Sequence, residues 1–230
     1  MGDELERFLA NARGSAATPR GGGVIMSLDE LRARRGNEPA FASWDLATLR
    51  GRLVELSARG ATATLTTAME LVVEAQTQHE PVAWLTLVNG TFYPPDVAEC
   101  GVDLAALVVV RTLDAVAAAR AGERLLRSGA FGLIVIDLGA GNGNELTMQI
   151  QGRLVTLAQT HDAAVVCLTQ KADDTASVGS LVSLRAEALR TRDARNAAGE
   201  LTVTVRVLKD KRRGPGWTQT LKRRGPAGLI

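Results

Sequence analysis

Apolar residues in this chain fall into short, nearly continuous runs, separated by longer stretches where they recur every three to four positions. The runs Leu53–Leu56, Val82–Leu87, Ala106–Val110, Leu133–Asp137 and Ala164–Leu168 have the length and aliphatic content of strands buried on both faces. Between them, Thr64–Thr77, Pro94–Cys100, Asp114–Leu126 and Glu145–Thr160 have helical spacing. Strand and helix in alternation predict an α/β fold with a mainly parallel central sheet flanked by helices. After Leu189 the pattern changes. Leu201–Val207 alternates at period two, and Trp217–Leu221 can pair with it across Gly214-Pro215-Gly216, which predicts C-terminal antiparallel strands at the sheet edge.

The amino-terminal part reads differently. Asp3–Arg13 has the pattern of an amphipathic helix, with Leu5, Phe8 and Leu9 on one face and acids in its first turn. Gly14–Gly23 is rich in Gly, Ser, Ala and Pro and reads as a flexible linker. Val24-Ile25-Met26 is a brief β-type run, and Ser27-Leu28-Asp29-Glu30 fits a capping box. The expected organisation is therefore a docking segment at 1–28, a connection at 29–50 and a core at 51–230.

Composition narrows the class. Hydrophobic residues make up 46% of the 230 but aromatics only 3%, so the core must be aliphatic. The longest apolar run, Leu104–Val110, is too short for a bilayer, and the start Met1-Gly2-Asp3-Glu4 is no secretory signal, so a cytoplasmic protein without membrane contact is expected. Cys100 and Cys167 stand alone in apolar settings and read as buried free thiols. His79 and His161 lack the neighbours a metal site needs, so no metal is assigned. The net charge of +2 is unevenly spread: 201–230 holds eight Lys and Arg against one Asp, a net of +7 that leaves −5 on the rest. Lys209, Lys211, Arg212, Arg213, Lys222, Arg223 and Arg224 therefore form a candidate contact for DNA or an acidic partner. Trp217 among them is a candidate to stack on a base or fill a partner's pocket, and equally to cover the sheet's own apolar face.

The strand–loop–helix at 51–76 and the acid-ended strand Gly132–Asp137 have the layout of the phosphate and magnesium halves of a nucleotide-binding core. That chemistry requires a loop lysine. None occurs before Lys171. The order of segments resembles a RecA-type recombinase from Gly51 to the carboxyl end. Gly51-Arg52-Leu53-Val54-Glu55-Leu56 resembles that family's GRIVEI strand and runs without a gap into Glu74-Ala75-Gln76. Gly101-Val102-Asp103 through Asp137, with Arg127-Ser128-Gly129-Ala130, follows the family's GVD…ALARSGAVDVIVVD. Leu168-Thr169-Gln170 sits at its strand-end glutamine, and Val203–Leu221 resembles its closing strands. Where the family has GPESSGKT, this chain has Ala58-Arg59-Gly60-Ala61-Thr62-Ala63-Thr64-Leu65, without the lysine or the magnesium-binding hydroxyl. The glutamate that activates water falls at Asn89, which cannot take up a proton at neutral pH. Asp137 remains. The expectation is a RecA-like core that is not an enzyme, with no catalytic residues and no cofactor. The loops after Asp137 and Gln170 are short, and the second carries Asp173 and Asp174, a poor match to a phosphate backbone.

Within that superfamily the chain resembles the ImuA family, the RecA-like accessory proteins of SOS-induced translesion synthesis. The resemblance is carried by Phe92-Tyr93-Pro94-Pro95-Asp96-Val97-Ala98, Gly101-Val102-Asp103-Leu104, Val109-Val110-Arg111, and Val207-Leu208-Lys209 leading into Arg212-Arg213-Gly214-Pro215. It implies partnership with RecA, with an inactive ImuB-type Y-family-like protein and, indirectly, with an error-prone DNA polymerase. DNA itself is a further candidate ligand. The layout of helix, linker and Val24-Ile25-Met26 strand resembles the segment through which RecA docks on its neighbour, so Leu5, Phe8, Leu9, Val24, Ile25 and Met26 are the expected docking residues for RecA or a protomer. The alternatives are a SulA-like cell division inhibitor and a DNA-binding protein acting through its basic C-terminus.

Overall fold

The computed structural model describes residues 43–60, 62–90, 92–139, 146–192 and 200–224, and Ala42–Ile230 form one compact unit. The expectations for Leu5, Phe8, Leu9, Val24, Ile25 and Met26 lie outside the described residues.

The fold is α/β, built on one mixed sheet of eight strands. They are β1 Arg52–Ser57, β2 Val82–Leu87, β3 Leu107–Thr112, β4 Leu133–Asp137, β5 Ala164–Thr169, β6 Leu184–Arg192, β7 Glu200–Asp210 and β8 Thr218–Arg224. Their order is β3-β2-β4-β5-β1-β6-β7-β8, parallel from β3 through β6 and antiparallel beyond. Every residue of β1, β4 and β5 is buried, as strands covered on both faces must be, whereas β3 at one edge is buried mainly at its two ends.

Helices supply that cover. α1 (Leu46–Leu49) and α2 (Thr64–Thr77) pack Leu46, Leu49, Met69, Leu71 and Val72 against one face. α3 (Pro94–Glu99) adds Val97 there, and Phe92 lies 5.6 Å from the wholly buried ring of Trp84, centroid to centroid. On the other face α4 (Ala115–Arg127) and α5 (Met148–Thr160) bury Ala118, Ala119, Leu126, Ile150 and Leu154 against Ile134, Ile136 and Val165. Gly122 lets α4 approach closely, because a Cβ there would meet Ile136 Cδ1 at 3.4 Å. Asp114 and Thr147 cap α4 and α5 by accepting from the N–H groups of Ala117 and Ile150.

Several boundaries move from expectation. The third strand begins at Leu107, because Asp103 accepts from the Ala105 N–H and holds Leu104–Ala106 in a single 3-10 turn. α5 begins at Met148, after its Thr147 cap. Cys167 is buried in β5, and burial pushes its thiol up to about 12. Cys100 is exposed, contrary to expectation, because it terminates α3 at the surface. No helix among the described residues is long and apolar enough to cross a membrane.

Candidate functional site

The carboxyl ends of the parallel strands are where an open α/β sheet places its ligands, and β1 leads there into Ala58–Thr64, the segment whose sequence was compared with a phosphate loop. A phosphate cradle works by turning free N–H groups toward the anion at a helix start. Here three of the N–H groups before and at that helix start already have acceptors. Thr62 N–H donates to Gly60 O at 2.8 Å, Ala63 N–H to Ala188 O at 2.9 Å and Thr64 N–H to Thr62 Oγ1 at 3.0 Å. Thr62 also forms a bridge with Leu189, so the segment runs along β6 instead of curling over the start of α2. Gly60, at φ +83, allows the turn that sets this path.

Asp137 ends β4 beside this segment's level of the sheet, opposite Thr86 of β2. Its Oδ1 accepts from the Gly139 N–H at 3.1 Å, while the buried Oδ2 has no hydrogen-bond partner among the described residues. Burial raises the carboxyl above its usual range, against the lowering pull of the Gly139 N–H and the Thr86 hydroxyl. Asn89 is exposed in the turn after β2. Among the described residues no group of three or more His, Cys, Asp or Glu is placed to hold a metal ion.

The second feature at this end is a charged cluster that closes over β1. Glu55, fully buried, accepts from the Thr169 hydroxyl and the Val178 N–H, both at 2.8 Å. Lys171 Nζ lies 3.1 Å from the same carboxylate and Arg185 Nε 3.9 Å. Arg185, itself buried, donates to the carbonyls of Ala172 and Thr175 and to the Ser57 hydroxyl. Gln151 of α5 accepts from the Leu181 N–H at 2.8 Å. The 170–183 loop, expected only to be short and acidic, is thus fixed from beneath by Glu55 and Arg185 and from the side by Gln151. Its Asp173 is neutralised by Arg206, which also holds Glu187 at 2.6 Å.

The basic residues are divided between two places. Arg206 pairs with Thr218 across β7 and β8, so Lys209, Lys211, Arg212 and Arg213 lie at the hairpin tip. Arg212 reaches the Gly51 carbonyl, at the amino end of β1, so the tip lies at the end of the sheet away from Asp137. Lys211 Nζ donates to Ser180 O at 2.8 Å, and Lys209 is half-buried. Burial, with Lys211 nearby, lowers the Lys209 amine. Beneath the tip Arg52 and Asp210 form a buried ion pair at 2.6 Å. Lys222, by contrast, sits opposite Thr202, about 14 Å along β8 from Thr218 at strand rise. The backbones of Arg223 and Arg224 continue in the same direction, opposite Leu201 and Glu200. Trp217 is half-buried and packs on the α2-side core, which places it as cover for the sheet.

Sequence reasoning missed β6 and, with it, Arg185 and Glu187. The signal was present, since Leu184, Ala186 and Ala188 alternate with those charges at period two. No protein-family model and no curated protein matches the chain.

Proposed function

We propose that this protein is a non-catalytic RecA-like adaptor of SOS-induced, error-prone DNA repair, a member of the ImuA family that joins RecA to an ImuB-type partner. The observation that carries the reading is the segment Ala58–Thr64. It follows β1 and precedes α2, where a nucleotide-binding core places its phosphate loop, yet it has no lysine and three of its N–H groups are committed to internal acceptors. The surrounding architecture supports the same reading: an acid-ended β4, a parallel sheet covered on both faces, and an antiparallel extension made of the strands whose sequence resembles the family's closing strands.

An adaptor needs surfaces rather than a reaction. In this reading residues 1–28 dock on RecA through Leu5, Phe8, Leu9 and Val24–Met26, and the basic tip at Lys209–Arg213 meets the ImuB-type partner or DNA. Affinity capture of the tagged full chain from SOS-induced cells is the test. RecA and a Y-family-like protein should be recovered together, and deleting Met1–Gly23 should remove RecA while leaving the core folded. Recovery of an FtsZ-type protein, or of DNA alone, would overturn the adaptor reading in favour of a division inhibitor or a plain DNA-binding protein.

A further inference from the structure

The hairpin tip gathers like charges and holds them in place. Lys209, Lys211, Arg212 and Arg213 fall in one short stretch, about 16 Å long even if fully extended. Asp210 is the single acid between Leu201 and Ile230, and it is buried against Arg52 at 2.6 Å. It also accepts from the Arg212 N–H, which fixes the turn from within. Burial lowers the Arg52 guanidinium, and the charges of Arg212 and Arg213 lower it further, against the pull of Asp210. The cluster is therefore kept together against its own repulsion. Its outer contacts do not offset that charge: Lys211 Nζ donates to Ser180 O and Arg212 reaches Gly51 O, both neutral carbonyls. Lys211, Arg212 and Arg213 are exposed, and half-buried Lys209 adds its charge to the field.

The surroundings of the cluster select among anionic partners. The centre of a protein interface is apolar and aromatic with few lysines. Among the described residues, none of the large apolar side chains that stand exposed belongs to β7, β8 or the turn between them. A single strand of nucleic acid is gripped by aromatic rings that stack on its bases. Trp217 is the only aromatic residue after Leu201, and it is half-buried on the α2-side core. What is left is a set of point charges on a thin turn, where a Cβ on Gly214 or Gly216 would meet nothing within 4 Å. A DNA duplex carries one charge per about 1.7 Å of its axis, so several phosphates can face a patch of this size together.

We propose that the hairpin tip is a binding site for duplex DNA, one that grips phosphates through Lys211, Arg212 and Arg213 and reads no bases. It lies at the end of the sheet away from Asp137. The proposal rests on the adaptor reading's assignment of this tip to an ImuB-type partner or DNA, and it commits the tip to one of them. RecA capture through residues 1–28 does not involve the tip, so the two can fail separately.

Fluorescence anisotropy of the full chain tests the site, with two labelled duplexes of unrelated sequence, one of their single strands and a polyglutamate peptide. The duplexes should bind alike, with log K falling against log salt at a slope of about −2.7 for three phosphate contacts. The single strand and polyglutamate should bind at least about five-fold more weakly. Arg212→Gln with Arg213→Gln should bring the slope to about −0.9 and cost at least about thirty-fold in affinity at low salt. Lys211→Gln alone should reduce the slope by about 0.9, an independent reading if the double variant folds poorly. Lys222→Glu, away from the tip on β8, should change affinity by less than about two-fold. Unchanged duplex binding in both tip variants would overturn the site, as would an equal loss in Lys222→Glu, which would make net charge the cause. Tighter binding of the single strand would also overturn it, and tighter binding of polyglutamate would give the tip to an acidic protein surface instead.

Discussion

Asp210 shows how far a single carboxylate is committed in this fold. Its side chain is wholly buried, 2.6 Å from Arg52, and it also accepts from the Arg212 N–H at 2.8 Å. Burial alone would raise it, but the Arg52 guanidinium and the N–H groups of Arg212 and Arg213 overcome that and hold it below the ordinary carboxylate range. Removing one partner of such a pair leaves a buried charge without compensation. Asp210→Asn should therefore cost about 3–5 kcal/mol in denaturant unfolding. The sign with pH follows from the lowered value: the pair's contribution is full above the unfolded aspartate pKa of about 3.9 and fades as pH falls through the folded one. The stability gap between wild type and variant should thus narrow below about pH 4. A gap that stays constant to pH 2 would contradict the account. Because Asp210 anchors the hairpin to β1, it also explains why the basic tip has a fixed position although its cations repel.

Among the elements, the parallel strands and their helices were legible because each is a run or a period of apolar residues with little else to confuse it; Leu133–Asp137 and Thr64–Thr77 have the bounds read from the sequence. β6 was not, because its small residues Ala186 and Ala188 give a faint alternation and its buried Arg185 and Glu187 imitate a loop. The missing strand hid two further facts. Without β6 there is nothing for Thr62 and Ala63 to pair with, so the absence of a lysine could be read while the path of the segment along β6 could not. Lys171 was noticed only as the first lysine in the chain; its partner Glu55 lies 116 residues earlier, across the fold. That partnership makes the 170–183 loop testable. Glu55→Gln removes the charge that compensates Lys171 and Arg185 and sets an amide among donors. Amides 172–182 should then exchange at least about ten-fold faster, a loss of about 1.4 kcal/mol of local stability, and trypsin should cut after Lys171. Protection equal to wild type would mean that Arg185 and Gln151 hold the loop without Glu55.

At the scale of the whole molecule, charge and open surface are sorted by position. One end of the sheet has Ala58–Thr64, Asp137 and the start of the 170–183 loop, where Arg206 pairs with Asp173; the other has the hairpin tip with Lys211, Arg212 and Arg213, to which the far end of that loop runs through the Lys211–Ser180 bond. Among the described residues the two lateral edges of the sheet are β8, whose sequence ends Lys222-Arg223-Arg224, and β3, whose sequence is mainly Leu and Val. A sequence supplies the total charge and its bias toward the carboxyl end, but pairing Thr202 with Lys222 and Arg206 with Thr218 is what divides that charge into two groups. The division limits how a single anionic surface can use it: Lys209–Arg213 act together and Lys222 does not join them. The central claim is that this architecture is kept for binding and not for nucleotide chemistry. Calorimetric titration of the full chain with ATP and magnesium, with single-stranded DNA present, tests it most directly. The account predicts no low-micromolar binding and no DNA-stimulated release of phosphate; saturable low-micromolar binding, or turnover comparable with that of an intact recombinase, would contradict it.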